Sequence, residues 1–185
     1  MLYIVYNNTT MDPDKYIKSH HEIVSGIYIG NEAAAKDLKF LENIDVVINA
    51  TKHLPFSAKK INIKVPINDP GPVGNLYLEE NNEYLSKALP KLVATIHGYR
   101  MSGKRILVHC HAGAQRSAAI VAAYLITHGD WKISDKTKKR FSKKEIINEK
   151  YRITVKHIIS KRPVAFFGGR SVNFKQALNI YKDTL

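Results

Sequence analysis

The stretch that decides the fold is Lys104-Arg105-Ile106-Leu107-Val108-His109-Cys110-His111-Ala112-Gly113-Ala114-Gln115-Arg116-Ser117-Ala118-Ala119-Ile120-Val121-Ala122-Ala123-Tyr124-Leu125. An apolar run near its start is long enough for a buried strand, and the alanine-rich run from Ser117 to Ile126 has the composition of a helix. Between the two runs lies the spacing Cys-x5-Arg. The pattern predicts a tight loop that joins the end of a strand to the start of a helix.

A loop in this position is suited to hold a phosphate group. At a helix N-terminus several backbone N–H groups face a common centre, and the helix dipole favours negative charge there. Gly113 lets the backbone approach an anion closely. The same field should lower the pKa of the Cys110 thiol, and Ser117 can donate a hydrogen bond to its thiolate. The planar fork of Arg116 can bind two phosphate oxygens at once.

The segment from His109 to Ser117 resembles the signature loop of the cysteine-based protein tyrosine phosphatases. Its pairs Ala112-Gly113 and Arg116-Ser117 are most similar to the dual-specificity branch of that superfamily. The resemblance extends over about residues 22–181. It implies a three-layer α/β fold, in which a mostly parallel central sheet is flanked by helices on both sides. Residues 22–185 are then the catalytic domain, and residues 1–21 are an N-terminal extension.

The resemblance also implies an activity and a set of site residues. The activity is hydrolysis of phosphomonoesters through a cysteinyl-phosphate intermediate, without a metal or other cofactor. The implied substrates are phosphoproteins carrying phosphotyrosine and phosphoserine or phosphothreonine. The expected catalytic residues are Cys110, Arg116, Asp69, Ser117 and His109, and the expected substrate-binding residues are His111, Ala112, Gly113, Ala114, Gln115 and Arg116.

A proton donor is needed because an alcohol or phenol leaves phosphorus poorly as an anion. Asp69 is the only carboxylate between Lys64 and Leu78, and it follows a predicted strand as the general acid of the family does. An ordinary turn before Pro70 is the alternative interpretation of this aspartate.

Two histidines flank the nucleophile. We expect His109, at the end of a buried strand, to support the loop and tune the thiol, whereas a free surface histidine would be the alternative. His111 either faces the mouth of the pocket and adds positive charge, or is simply exposed.

The rest of the sequence predicts helices and strands that support the fold and have no catalytic role. Asn31 can cap a helix that extends through Leu41, and a β-branched run over residues 44–50 predicts a buried parallel strand. Apolar residues alternate with other residues over 61–67, which predicts a further strand. An apolar stripe with helical spacing follows, and because Pro90 interrupts it, the stripe predicts either two helices or one kinked helix.

Composition limits the class of protein. The 185 residues are 44% hydrophobic and 24% charged, which is typical of one soluble globular domain. Cys110 is the single cysteine, so an internal disulfide and a cysteine-rich zinc site are excluded. Together with the absence of a long apolar run, this predicts a cytoplasmic protein without a membrane span.

The net charge of +13 is unevenly distributed. Residues 1–90 carry nine lysines and eleven acids, whereas residues 91–185 carry twenty basic and five acidic residues. The segment 132–156 alone has ten basic residues and three acids, and it is either a solvated face or a docking surface for RNA, an acidic protein or a phosphoinositide. Trp131 beside it either stacks on a base or is a partly buried anchor.

Two other functions fit the same residues. An RNA 5′-phosphatase on the same fold would use the basic half of the chain, although such enzymes tend to carry His-Gly and Arg-Thr where this loop has Ala112-Gly113 and Arg116-Ser117. A phosphate-binding or scaffolding module without turnover is the second alternative. The N-terminal extension, residues 1–21, is an added edge strand, an arm that forms a homodimer or a loosely tethered segment.

Overall fold

The computed structural model describes residues 18–68, 78–167 and 174–185. Its strands are β1 (His20–Val24), β2 (Ile27–Gly30), β3 (Val46–Asn49), β4 (Ile61–Lys64) and β5 (Ile106–His109). They form one sheet in the order β1-β2-β5-β3-β4, in which β1 pairs with β2 in antiparallel fashion and all other pairs are parallel. The strand that leads to Cys110 is therefore the central strand.

The helices of the described residues lie on both faces of the sheet. They are α1 (Glu32–Lys36), α2 (Leu38–Glu42), α3 (Leu78–Met101), α4 (Arg116–His128), α5 (Asp135–Arg140), α6 (Lys143–Lys161) and α7 (Lys175–Lys182). Apolar side chains of α3, α4, α6 and α7 share one core with the sheet. On the other face, Phe40 and Leu41 of α2 pack against Tyr28, Val47 and Leu107. The predicted three-layer α/β architecture is confirmed.

The central strand β5 is apolar on both faces because both are covered. Ile106 and Val108 belong to the larger core, and Leu107 belongs to the smaller core on the opposite face. All four residues of β5 are buried. Alternation of side chains along the strand thus explains why this sequence is a continuous apolar run.

Two local predictions need correction, and one open alternative is decided. The predicted helix from Asn31 through Leu41 is two short helices, because Asp37 adopts an extended conformation (ψ 94°) and its side chain accepts a hydrogen bond from Phe40 N–H at 3.0 Å. The predicted strand over residues 61–67 ends at Lys64. Of the two alternatives for the apolar stripe, the structure has one helix: Pro90 lies inside α3, where it faces solvent while Leu85 and Leu89 are fully buried.

We predict that truncation at the centre of the sheet is far more costly than truncation at its edge. Ile106 of β5 and Ile61 of β4 both pair with Val46, but Ile106 is 0% exposed and Ile61 is 39% exposed. Ile106→Ala should lower the free energy of unfolding by about 2–5 kcal/mol, and Ile61→Ala by less than about 1 kcal/mol. Urea denaturation of both variants measures this difference, and equal losses would contradict the assigned layers.

Candidate active site

The candidate site lies where β5 ends and α4 begins. His109 is the last residue of β5, and Arg116 and Ser117 are the first two residues of α4. Residues 110–115 form the connecting loop, called here the phosphate loop. The strand, loop and helix predicted from the sequence are all present, and the helix extends two residues beyond the predicted end at Ile126.

Cys110 is enclosed by hydrogen-bond donors. The residue is 2% exposed, and its Sγ lies 3.2 Å from the backbone nitrogen of Gly113 and 3.3 Å from Ser117 Oγ. Its own backbone N–H donates to the carbonyl of Gly30 at 3.3 Å, which ties the start of the phosphate loop to β2. The sulfur is thus held at a fixed point inside the loop.

The pKa of the Cys110 thiol is lowered from its ordinary value. Burial raises this pKa, but the Arg116 guanidinium and hydrogen bonds from the Ser117 hydroxyl and from the Ser117 and Gly113 amides lower it by more. All of these groups stabilise the anion and not the neutral thiol. The geometry therefore favours the nucleophilic thiolate over the neutral thiol.

Arg116 connects the start of α4 to the segment that follows β4. The residue is 6% exposed, and its Nη1 donates to the carbonyl of Ile67 at 3.3 Å. Asp69, the predicted general acid, follows two residues later and lies outside the described residues.

Gly113 is required by two independent constraints. Its φ of +66° lies in the left-handed region, which disfavours side chains. A Cβ at this position would also lie 2.6 Å from the carbonyl oxygen of Gly30 and closer still to Arg162 Nη2. No other residue type fits here without displacing β2 or Arg162.

Arg162 supports the phosphate loop from behind, and the sequence analysis assigned it no role. It is 1% exposed, and it donates to the carbonyls of Gly113 (Nε, 2.6 Å) and Ala112 (Nη2, 3.3 Å). Its Nη1 lies 2.9 Å from His21 Nδ1 in β1. Burial lowers the pKa of Arg162 to about 10, whereas the nearby Cys110 raises it, so the guanidinium is charged at neutral pH.

His109 is buried and neutral. It is 1% exposed, and neither ring nitrogen has a hydrogen-bonding partner of good geometry in the part of the chain that the structure describes. Burial is the main reason why the pKa of His109 falls to about 4. At neutral pH its side chain therefore adds no positive charge beneath the loop.

His111 lies on the rim and is paired with α1. Its side chain is 64% exposed, and its Nδ1 lies 2.8 Å from Glu32 Oε2. The backbone N–H of Glu32 donates to the carbonyl of His111 at 3.0 Å. These two contacts fix the first residue of the phosphate loop after the nucleophile.

The remaining residues of the phosphate loop differ in how they are held. Ala112 is exposed, and its carbonyl is bound by Arg162. Ala114 and Gln115 are partly exposed, and the Ala114 carbonyl accepts a hydrogen bond from Phe166 N–H at 3.1 Å. Gln115 precedes α4 without capping it through its side chain.

The basic segment 132–156 forms α5 and most of α6. Its exposed basic residues include Lys132, Lys139, Arg140, Lys143, Lys144, Arg152 and Lys156. Trp131 is partly buried against the larger core, and its Nε1 donates to the carbonyl of Leu125 at 2.9 Å. This indole is therefore an anchor, the second of the two interpretations given above.

Residues 18–68, 78–167 and 174–185 contain neither a membrane-spanning helix nor a cluster of metal ligands. No helix there is long and apolar enough to cross a membrane. No group of three or more histidine, cysteine, aspartate or glutamate side chains is placed to hold a metal ion. Residues 1–17, which make up most of the predicted N-terminal extension, lie outside the described part.

The sequence of this chain is similar to known phosphatases. A family model described as "Dual specificity phosphatase, catalytic domain" matches residues 27–156. "Tyrosine-protein phosphatase MSG5" of Saccharomyces cerevisiae is 27% identical over 110 residues, which are 59% of this chain and 21% of that protein. Human "Dual specificity protein phosphatase 8" is 31% identical over 112 residues, which are 56% of this chain and 16% of that protein. The chain thus spans only a small part of these relatives.

The fold is similar to that of solved structures. The crystal structure of human DUSP28 superposes with a TM-score of 0.62 at 20% identity, covering 90% of this chain and 95% of that chain. The crystal structure of DUSP15 gives a TM-score of 0.62 at 24% identity, covering 88% and 86%. These likenesses show the fold, and because the family model matches more than half of the residues, the chain belongs to the dual-specificity phosphatase family.

Proposed function

We propose that this chain hydrolyses phosphomonoesters through a cysteinyl-phosphate intermediate and acts on phosphoproteins. The observation that carries the proposal is the environment of Cys110. A buried sulfur with donors at 3.2 and 3.3 Å and a lowered pKa is an activated nucleophile, and the Arg116 guanidinium beside it is suited to a phosphate dianion.

In the first step the Cys110 thiolate attacks phosphorus. The new S–P bond forms as the bond from phosphorus to the leaving oxygen breaks, and Asp69 gives that oxygen a proton. Arg116 and the N–H groups of the phosphate loop stabilise the charge on the three remaining phosphate oxygens in the transition state. Support for Asp69 is its position two residues after Ile67, whose carbonyl Arg116 contacts.

In the second step a water molecule attacks phosphorus and releases the enzyme. Asp69 accepts the proton from this water, and the S–P bond breaks to return a thiolate on Cys110. Ser117 Oγ, 3.3 Å from Sγ, donates to the sulfur as it leaves. His109 contributes as a buried neutral support behind the nucleophile, not as a charge.

We propose that both phosphotyrosine and phosphoserine or phosphothreonine are accepted, since the family match is to the dual-specificity catalytic domain. The comparisons do not favour RNA 5′-phosphatase activity or a module without turnover. A role for the segment 132–156 in binding RNA or an acidic partner stays a prediction, as does a homodimer formed through the N-terminal arm.

The cytoplasm is the compartment we propose, because a single unpaired cysteine is suited to a reducing environment.

We also propose residues 22–185 as the catalytic domain and residues 1–21 as an extension. Strand β1 begins at His20, so the first two residues of this strand belong to the proposed extension.

Alkylation should titrate Cys110 below the pH at which a free cysteine reacts. A free thiol has a pKa of about 8.5, and the lowered pKa of Cys110 keeps it ionised at more acidic pH. Because this cysteine is the only one, the rate of iodoacetamide labelling against pH reports on it alone. Ser117→Ala should move the midpoint to higher pH. A midpoint equal to that of the urea-unfolded chain would contradict the proposed activation.

Removal of the nucleophile should abolish turnover and retain anion binding. Cys110→Ser is expected to lower hydrolysis of p-nitrophenyl phosphate by about 1,000-fold or more. Vanadate should still bind, since Arg116 and the amides of the phosphate loop remain, and calorimetry measures this. Wild-type activity should also survive a chelator. Turnover by Cys110→Ser at the wild-type rate would refute the mechanism.

Loss of the proposed proton donor should depend on the leaving group. Asp69→Asn is expected to lower kcat/KM about 100-fold for phenyl phosphate, whose leaving group needs a proton, and less than tenfold for p-nitrophenyl phosphate. The exposed Asp130 provides the control, and Asp130→Asn should leave both rates unchanged. Equal losses for both substrates would show that Asp69 is not the general acid.

A further inference from the structure

One row of the sheet places a lysine beside the phosphate loop. Gly30, His109, Asn49 and Lys64 are paired across β2, β5, β3 and β4, and each is the last residue of its strand. Neighbouring strands are about 4.8 Å apart, so Lys64 lies roughly 10 Å from the residue that precedes Cys110. The backbone of Lys64 therefore lies at the end of the sheet at which the phosphate loop begins.

The side chain of Lys64 is held in place by the loop that follows β3. Its Nζ donates to the carbonyl of Leu54 at 2.5 Å and lies 5.7 Å from the centroid of the Phe56 ring. Asn49 Nδ2 donates to the same carbonyl at 2.8 Å. Lys64 is thus an exposed cation with little freedom to move away.

No carboxylate within the described ranges forms an ion pair with Lys64. Burial alone lowers its pKa, and no acidic group raises it. Its charge is nevertheless felt inside the site, since it is one of the secondary causes that lower the pKa of His109. The ammonium group is therefore available to an external anion at the edge of the active site.

The rim of the phosphate loop is electrically asymmetric. On the α1 side, Glu32 contacts His111 at 2.8 Å and Lys36 at 2.5 Å, so both basic side chains there already have an acidic partner. On the β4 side, Lys64 has none among the residues described. Lys64 therefore favours an acidic group of a bound substrate on the β4 side of the loop.

We propose that Lys64 forms a subsite for a negatively charged side chain of the substrate, located two or three residues from the phosphorylated residue. An extended peptide rises about 3.3 Å per residue, so two or three residues span a distance similar to the roughly 10 Å between the backbones of Lys64 and His109. A carboxylate or a second phosphate supplies the same chemistry. The subsite rests on the proposed phosphatase activity and adds a substrate preference to it.

Matched phosphopeptides test this subsite. One set carries two glutamates on the N-terminal side of phosphotyrosine, a second carries them on the C-terminal side, and each has a control with glutamine at the same positions. The quantity compared is the ratio of kcat/KM for a glutamate peptide to kcat/KM for its glutamine control. In the wild type this ratio should be about two to five for glutamates on one side of phosphotyrosine and about one for glutamates on the other side, and added salt should reduce the larger ratio. In Lys64→Gln the ratio should fall to about one, and in Lys64→Glu below one. The non-hydrolysable phosphonate analogue of phosphoserine in place of glutamate should raise kcat/KM on the same side, because it supplies a second anion that is not itself a substrate.

Lys60 offers a matched control at the opposite end of strand β4. It directly precedes β4, and its Nζ lies 3.5 Å from the carbonyl of Glu42. Lys60→Gln should retain the wild-type ratio and the wild-type rate with p-nitrophenyl phosphate. A wild-type ratio in Lys64→Gln, or equal losses for both peptides of a pair, would overturn the subsite. Absence of turnover with p-nitrophenyl phosphate in the wild type would instead refute the proposed activity.

Discussion

A negative charge on the buried sulfur of Cys110 is the constraint on which the site depends. Burial at 2% exposure disfavours an anion strongly. The structure offsets this cost with the Arg116 guanidinium, the Ser117 hydroxyl and two backbone amides, whose combined effect lowers the thiol pKa. The same donors are suited to phosphate oxygens, so one arrangement serves the nucleophile and the group it attacks.

The phosphate loop keeps its shape because its backbone carbonyls are also hydrogen-bonded, on the side of the loop away from Cys110. Arg162 binds two carbonyls of the loop and contacts His21, so the end of α6 and the strand β1 are joined at this point. The positive φ of Gly113 brings the loop close enough for these contacts. Arg162, at the end of α6, therefore helps to shape the phosphate loop through the carbonyls of Ala112 and Gly113.

Features with local causes could be predicted from the sequence. The strand, the phosphate loop and α4 follow from an apolar run, a fixed spacing and an alanine-rich segment. Arg162 could not be found in this way, because its partner Gly113 is 49 residues earlier and no spacing links them. The break at Asp37 was missed because a side-chain cap overrode a helical composition. The role of Asp69 stays a prediction, since it lies outside the described residues.

The position of β5 at the centre of the sheet also has a consequence for folding kinetics. Strands β1 and β2 form a local hairpin, and β3 and β4 pair across a short connection, but these two halves meet only through β5. Ile106 pairs with Ile27 and with Val46, which are 79 and 60 positions earlier in the chain. Closing such long loops is entropically costly and slows folding. A nascent chain therefore cannot complete its sheet until the strand that carries the nucleophile has been synthesised.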